Sequence, residues 1–283
     1  MKFLQNKEKL KFFSALLILF VVGGYIFALK GYTYWQRLQP TPTPPPPKTL
    51  GIQVNPTPQE SEYMIFLVGD SMTHALGPHG GEFNKYINEL YKDTGKGILI
   101  DNYAVGGSNI LNLKKMISTH ATYWDSSFSP LMARKFDIII IESFGYNPLS
   151  QYPIKEGLKK HNEVLDEVLR DLRTSHPDAK IVFLATIAPN KEKYSSGVSP
   201  DTTPEQRRLQ AEERIAYIKN HIEYAKKNDI PLINVFELSL DDKGDGDLRY
   251  INPDDYIHPS FEGVRFIGKE IADYIWENRL LPH

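Results

Sequence analysis

The sequence predicts a three-layer α/β/α sandwich built on a flavodoxin-like five-stranded parallel sheet, preceded by a single N-terminal transmembrane helix. Three features predict it. Five short apolar runs bounded by Gly or Asp have the length and composition of buried strands. The stretches between them place apolar residues at helical spacing. An uncharged run of 18 residues, Phe12 to Leu29, stands near the N-terminus. Strands alternating with helices imply right-handed crossovers and a parallel sheet covered on both faces.

Composition narrows the function classes. A chain of 283 residues with 41% hydrophobic and 24% charged residues is globular in character, which excludes a collagenous or wholly disordered protein. Cysteine is absent, which excludes disulfides, thiolate metal sites and a cysteine nucleophile. A net charge of −2 and a pI near 6.5 lack the basic excess of a nucleic-acid binder, so no nucleic-acid partner is expected.

The elements follow in chain order. Residues 1–11 form a basic tail, with Lys2, Lys7, Lys9 and Lys11 against a single Glu8. Residues 12–30 are expected to be a transmembrane signal-anchor helix, since 18 residues at about 1.5 Å rise span roughly the hydrocarbon core. The preceding lysines place the tail in the cytoplasm and the rest of the chain outside. A cleaved signal peptide is the rival reading, but Ala28-Leu29-Lys30 poorly matches a small-x-small cleavage site. Residues 31–60 form a Pro-rich linker whose four consecutive prolines favour extended polyproline II, the conformation of a spacer. The remaining 61–283 carry the βα series.

The strands are expected at 63–69, 97–104, 136–143, 179–186 and 230–236. Leu158, Leu165, Val168, Leu169 and Leu172 line one helix face before the fourth strand. Ile215, Ile218, Ile222 and Ala225 line another before the fifth, a helix started by Thr203 as N-cap, Pro204 at the first helical position and Gln206 closing a capping box. A last helix is expected from about Ser260, with Val264, Ile267, Ile271 and Ile275 inward.

Open α/β sheets bind ligands beyond the carboxyl ends of their strands, so the loops there carry the expected chemistry. Gly69-Asp70-Ser71 follows the first strand, Asn102 to Asn109 the second, and Gly145-Tyr146-Asn147 the third. Asp255-Tyr256-Ile257-His258 lies beyond the fifth. Together they suit acyl transfer. A serine hydroxyl is a weak nucleophile that needs an adjacent base, itself oriented by a third group. Ser71 supplies the hydroxyl, His258 the base, and Asp255 the orienting carboxylate, with Asp254 as its neighbour and rival. The oxyanion formed on attack needs preorganised donors, for which the Ser71 N–H, the Gly107 N–H and the Asn147 amide are candidates, with Gly106 as the alternative to Gly107. Asp70 is expected to organise its turn, and Tyr146 to line the substrate pocket or to pack behind it.

These residues resemble the four blocks of the SGNH hydrolases, also called GDSL-type esterases and lipases, over about Glu62 to Pro282. Gly69-Asp70-Ser71 is similar to the first block, Gly107 five residues after Asn102 to the second, Gly145-Tyr146-Asn147 to the third, and Asp255 with His258 to the last. The resemblance implies the same α/β/α fold, a cofactor-free serine mechanism and an ester substrate. One position departs: Pro148 stands where the third block usually has an aspartate, which removes an N–H and restricts Asn147 to extended conformations.

The expected protein is thus a membrane-anchored extracytoplasmic esterase. Its location suggests acyl groups on envelope glycan or lipid as substrate. An O-acyltransferase using the same serine, or a glycan-binding module with decayed catalysis, are the alternatives. Asp241 to Asp247 fails the EF-hand pattern, with Lys243 at the third position and Asn252 at the twelfth, and no metal site is expected. The segment from Pro189 to Thr202 is a candidate substrate lip.

Overall fold

A computed structural model of the chain describes residues 62–123 and 126–282. The expected basic tail, membrane helix and Pro-rich linker lie outside the described residues. Among the described residues, no helix is long and apolar enough to cross a membrane.

Strand β1 (Glu62–Val68) leads through the short helix α1 (Ser71–His74) and α2 (Gly81–Tyr91) to β2 (Gly97–Asn102). Helix α3 (Leu113–Ser118) and a small antiparallel hairpin, β3 (Ala121–Tyr123) with β4 (Ser126–Phe128), precede β5 (Ile138–Glu142). Then come α4 (Ile154–Ser175), β6 (Lys180–Ala185), α5 (Pro204–Lys227), β7 (Leu232–Asn234), α6 (Val235–Leu238) and α7 (Phe261–Glu277). The main sheet is wholly parallel in the order β2-β1-β5-β6-β7, the flavodoxin order for five successive strands.

Alternation along the central strands explains the two faces. In β1, Ile65 and Leu67 enter one core layer while Met64, Phe66 and Val68 enter the other. In β5, Ile138 and Ile140 oppose Ile139 and Ile141 in the same way. Phe83 and Ile87 of α2 and Ile267 and Ile271 of α7 cover the first face. Met116 of α3 and Leu165, Val168, Leu169 and Leu172 of α4 cover the second, and α5 contributes to both. Helices α2 and α7 meet closely because Gly268 has no side chain; a Cβ there would lie 2.8 Å from the Phe83 backbone nitrogen. The Thr203–Gln206 capping box forms as the sequence predicts, its side chains bonding each other's backbone N–H groups at 3.2 and 2.8 Å.

Two elements differ from expectation. The fifth strand has three residues rather than seven, because the Asn234 side chain accepts the Glu237 N–H and starts α6 at once. The β3–β4 hairpin has no counterpart in the sequence reading.

Candidate active site

Four loops meet at the carboxyl edge of the sheet. Beyond β1 the backbone passes tightly over β5: a Cβ on Gly69 would lie 2.7 Å from Glu142 Cβ and 2.6 Å from Thr73 Oγ1. Asp70 then caps α1, its Oδ1 accepting the Met72 N–H at 2.8 Å. Ser71 is therefore the first residue of a helical turn, whose leading N–H has no partner inside the helix and is free for an acceptor outside it. The side chain is partly exposed.

The loop after β2 is stapled to this turn. The Asn102 amide donates to the carbonyls of Thr73 and Gly77 at 2.9 and 3.0 Å, and Val105 N–H donates to the Gly69 carbonyl at 3.1 Å. Of the two glycines that follow, Gly106 lies beside the serine; a Cβ there would stand 3.9 Å from Ser71 Cβ. Gly107 takes φ +75°, a left-handed conformation that favours glycine, with open space around it.

The turn after β5 is held by a carboxyl the sequence reading missed. Glu142 is fully buried. It accepts the Ser143 hydroxyl at 2.5 Å, the Phe144 N–H at 2.9 Å and the Asp70 N–H at 3.3 Å. It thereby binds the serine turn to the Asn147 turn and supports the positive φ of 52° at Phe144. Burial, then the neighbouring Asp70 charge, push Glu142 well above the ordinary carboxyl range; burial also raises Asp70. Asp70 Oδ2 accepts one N–H of the Asn147 amide at 3.0 Å, leaving the second for another acceptor. The support that Pro148 cannot give to Asn147 comes from Asp70. Tyr146 is 4% exposed with its hydroxyl on the Ile187 carbonyl at 3.3 Å, so it packs behind the site.

Asp255 and His258 sit on one tight turn. Asp255 Oδ1 accepts the N–H groups of Ile257 and His258 at 2.7 and 3.0 Å, and its Oδ2 meets His258 Nδ1 at 2.8 Å. A carboxylate only accepts, so Nδ1 carries the proton and Nε2 is left with a free lone pair. It is Asp255, not Asp254, that meets the imidazole. Burial works to raise the Asp255 carboxyl, but the hydrogen bonds from His258 and the backbone outweigh it and hold it below its ordinary value. The hydrogen bond to Asp255 lifts His258 above the usual 6.5, against partial burial, and Asp70 is among the negative charges it feels. Among the described residues no hydrogen bond joins Ser71 to His258; such contacts often tighten only around substrate.

A base must be neutral to accept a proton, and the partners that raise His258 set where it becomes so. The acid limb of kcat/KM against pH is expected to have its midpoint above 6.5, with activity lost as pH falls through it. Asp255→Asn should move that limb to lower pH while reducing its plateau; a limb unmoved by the substitution would separate it from His258.

The segment from Pro189 to Thr202 buttresses this turn. Ser195 N–H donates to the Tyr256 carbonyl at 3.3 Å, joining two residues that both have positive φ. Gly197 lies against the backbone of Asp254 and Asp255. Asp245 in turn accepts the Lys191 N–H, and the Asn190 amide donates to the Gly246 carbonyl at 2.9 Å. The acidic run from Asp241 thus serves to bond backbone: Asp241 Oδ1 accepts the N–H groups of Lys243 and Asp245. Among the described residues no cluster of His, Asp and Glu could hold a metal ion.

The GDSL-like lipase/acylhydrolase family model matches residues 67–266, which span all four loops. Solved structures share the fold at low identity. A lipase/acylhydrolase from Enterococcus faecalis is 16% identical, with a TM-score of 0.53 over 78% of this chain and 98% of that one. A lipase from a goat rumen metagenome is 15% identical at TM-score 0.52, and an acetyl xylan esterase is 16% identical at 0.50, each over 76% of this chain and 98% of that one. No curated protein sequence matches the chain. The chain belongs to the GDSL-like lipase/acylhydrolase family and is a hydrolase of ester bonds.

Proposed function

We propose that the protein is a serine esterase tethered to the membrane with its catalytic domain outside the cell. The observation that carries the mechanism is the Asp255–His258 hydrogen bond on the same rim as the capped Ser71 turn. Ser71 Oγ attacks the ester carbonyl carbon while its proton passes to His258 Nε2. The new oxyanion is met by the Ser71 N–H, the Gly107 N–H and the free N–H of Asn147. Collapse breaks the bond to the alcohol, which leaves with the proton from His258. Water then attacks the acyl-serine with His258 again as base, releasing acid and the free serine.

The tether rests on the lysine-flanked apolar run and the proline-rich stretch behind it. That position supports acyl groups on envelope glycan or lipid as natural substrates. The test is turnover of p-nitrophenyl acetate and butyrate by the full-length protein, with and without a xylo-oligosaccharide acceptor. Free acid is the expected main product in both conditions. Acylated oligosaccharide as the main product would make the protein a transferase, and no turnover of either ester would remove simple esterase activity.

A further inference from the structure

Helix α5 begins on the site's rim, and beside it lies a cavity of about 450 Å³ bordered by Lys191, Lys193, Arg207 and Arg208 with Glu192 and Glu205. Among the described residues, one of its four cations is neutralised by carboxylates and the other three are not. Arg208 is paired with Glu205 and Glu212 at 2.7 and 2.8 Å. Arg207 instead donates to the carbonyls of Glu192 and Thr202, so its charge meets no carboxylate. Among the described residues, Lys191 and Lys193 have no carboxylate within ion-pair distance. The concentration stands out because the chain beyond residue 30 is acidic overall, with 28 basic and 34 acidic residues.

The location ties the cavity to the site. Lys191 and Lys193 are on the segment whose Ser195 and Gly197 pack on the Asp255–His258 turn. Lys191 is fixed through its backbone N–H to Asp245, and Arg207 braces both ends of the segment, at Glu192 and Thr202. The charges are therefore held on a braced loop.

We propose that this cavity is an anion subsite that holds a carboxylate or phosphate group of a glycan chain whose neighbouring acyl ester lies at Ser71. The identity of the ester site rests on the esterase reading above; the anion subsite itself does not. Substrates would then be acylated anionic polysaccharides in preference to neutral ones.

The test is equilibrium binding to full-length Ser71→Ala protein, in which no acyl-serine can form. The probes are polygalacturonate, phosphorylated dextran and unmodified dextran, each titrated at low and high salt. Polygalacturonate or phosphorylated dextran should bind, weaken with salt, and weaken about tenfold in a Lys191→Gln/Lys193→Gln background, as expected for losing two exposed charges. Unmodified dextran should bind less well and ignore the lysines. Which anionic polymer binds more tightly assigns carboxylate or phosphate as the preferred group. Anionic polymers that bind no better than dextran, or as well without the two lysines, would overturn the subsite. Lysine-dependent binding by a protein whose wild type cannot turn over p-nitrophenyl esters would keep the subsite and remove the esterase.

Discussion

Replacing Ser71 by alanine is expected to lower kcat for p-nitrophenyl acetate by about 10⁴-fold or more, and His258→Ala by a comparable factor. The two act as one unit, since the imidazole has no proton to accept once the hydroxyl is gone. The double variant should therefore be no slower than either single one. Asp255→Asn should cost less: its oxygen can keep the Ile257 and His258 N–H groups and hold the imidazole in place, while its NH2 facing Nδ1 favours the tautomer with the proton on Nε2, leaving a minor fraction able to act as base. Unchanged circular dichroism and melting temperature would separate these losses from unfolding. A Ser71→Ala variant that keeps wild-type turnover would show that another nucleophile carries the reaction.

Gly197→Ala is expected to lower both stability and rate, although its side chain takes no part in the reaction. Its Cβ would lie 2.0 Å from the Asp254 carbonyl oxygen and 2.8 Å from Asp255 Cα, which are backbone atoms rather than the movable end of a side chain. Overpacking of this kind costs about 3 kcal/mol, equivalent to a fall in Tm of roughly 6–12 °C for a domain this size. Relief moves the 189–202 segment and the Asp255–His258 turn apart, and a displacement near 1 Å at a reacting group can cost about 100-fold in rate. Gly97→Ala is the matched comparison: like Gly197 it has no left-handed φ, and its Cβ would meet nothing closer than Glu62 Cγ at 3.5 Å, an ordinary contact. Thermal melts and kcat/KM for both variants measure the difference. Equal, small effects would remove the buttress from the mechanism.

The contrast between Gly197 and Ser71 shows what sequence alone can carry. Strands β1, β5 and β6 are legible because burial on both faces demands continuous apolar runs, and the Thr203 capping box because its signals are local. The serine, histidine and aspartate are legible because their residue types and their places after strands both point to one rim. Strand β7 is overread since nothing in its apolar pattern announces that Asn234 will cap a helix instead of extending the ladder. The β3–β4 strands, three residues each, are too short to show an alternation.

Glu142 and Gly197 were missed for a different reason. Glu142 does leave a trace, a carboxylate ending the run of four isoleucines before it, but its use depends on Asp70, 72 residues away. Gly197 matters only because a separate loop, nearly sixty positions on, passes through the space its side chain would fill. Asn147 shows the same limit from the other side. The proline after it removes one support, and only the folded chain brings Asp70 to replace it.

The most direct measurement is the mass of the full-length protein after treatment with a fluorophosphonate, which phosphonylates an activated serine and displaces fluoride. One adduct is expected, mapped by peptide mass spectrometry to Ser71, absent in Ser71→Ala and formed far more slowly in His258→Ala. A folded wild-type protein that stays unlabelled, or carries its adduct on a different residue, would contradict Ser71 as the nucleophile.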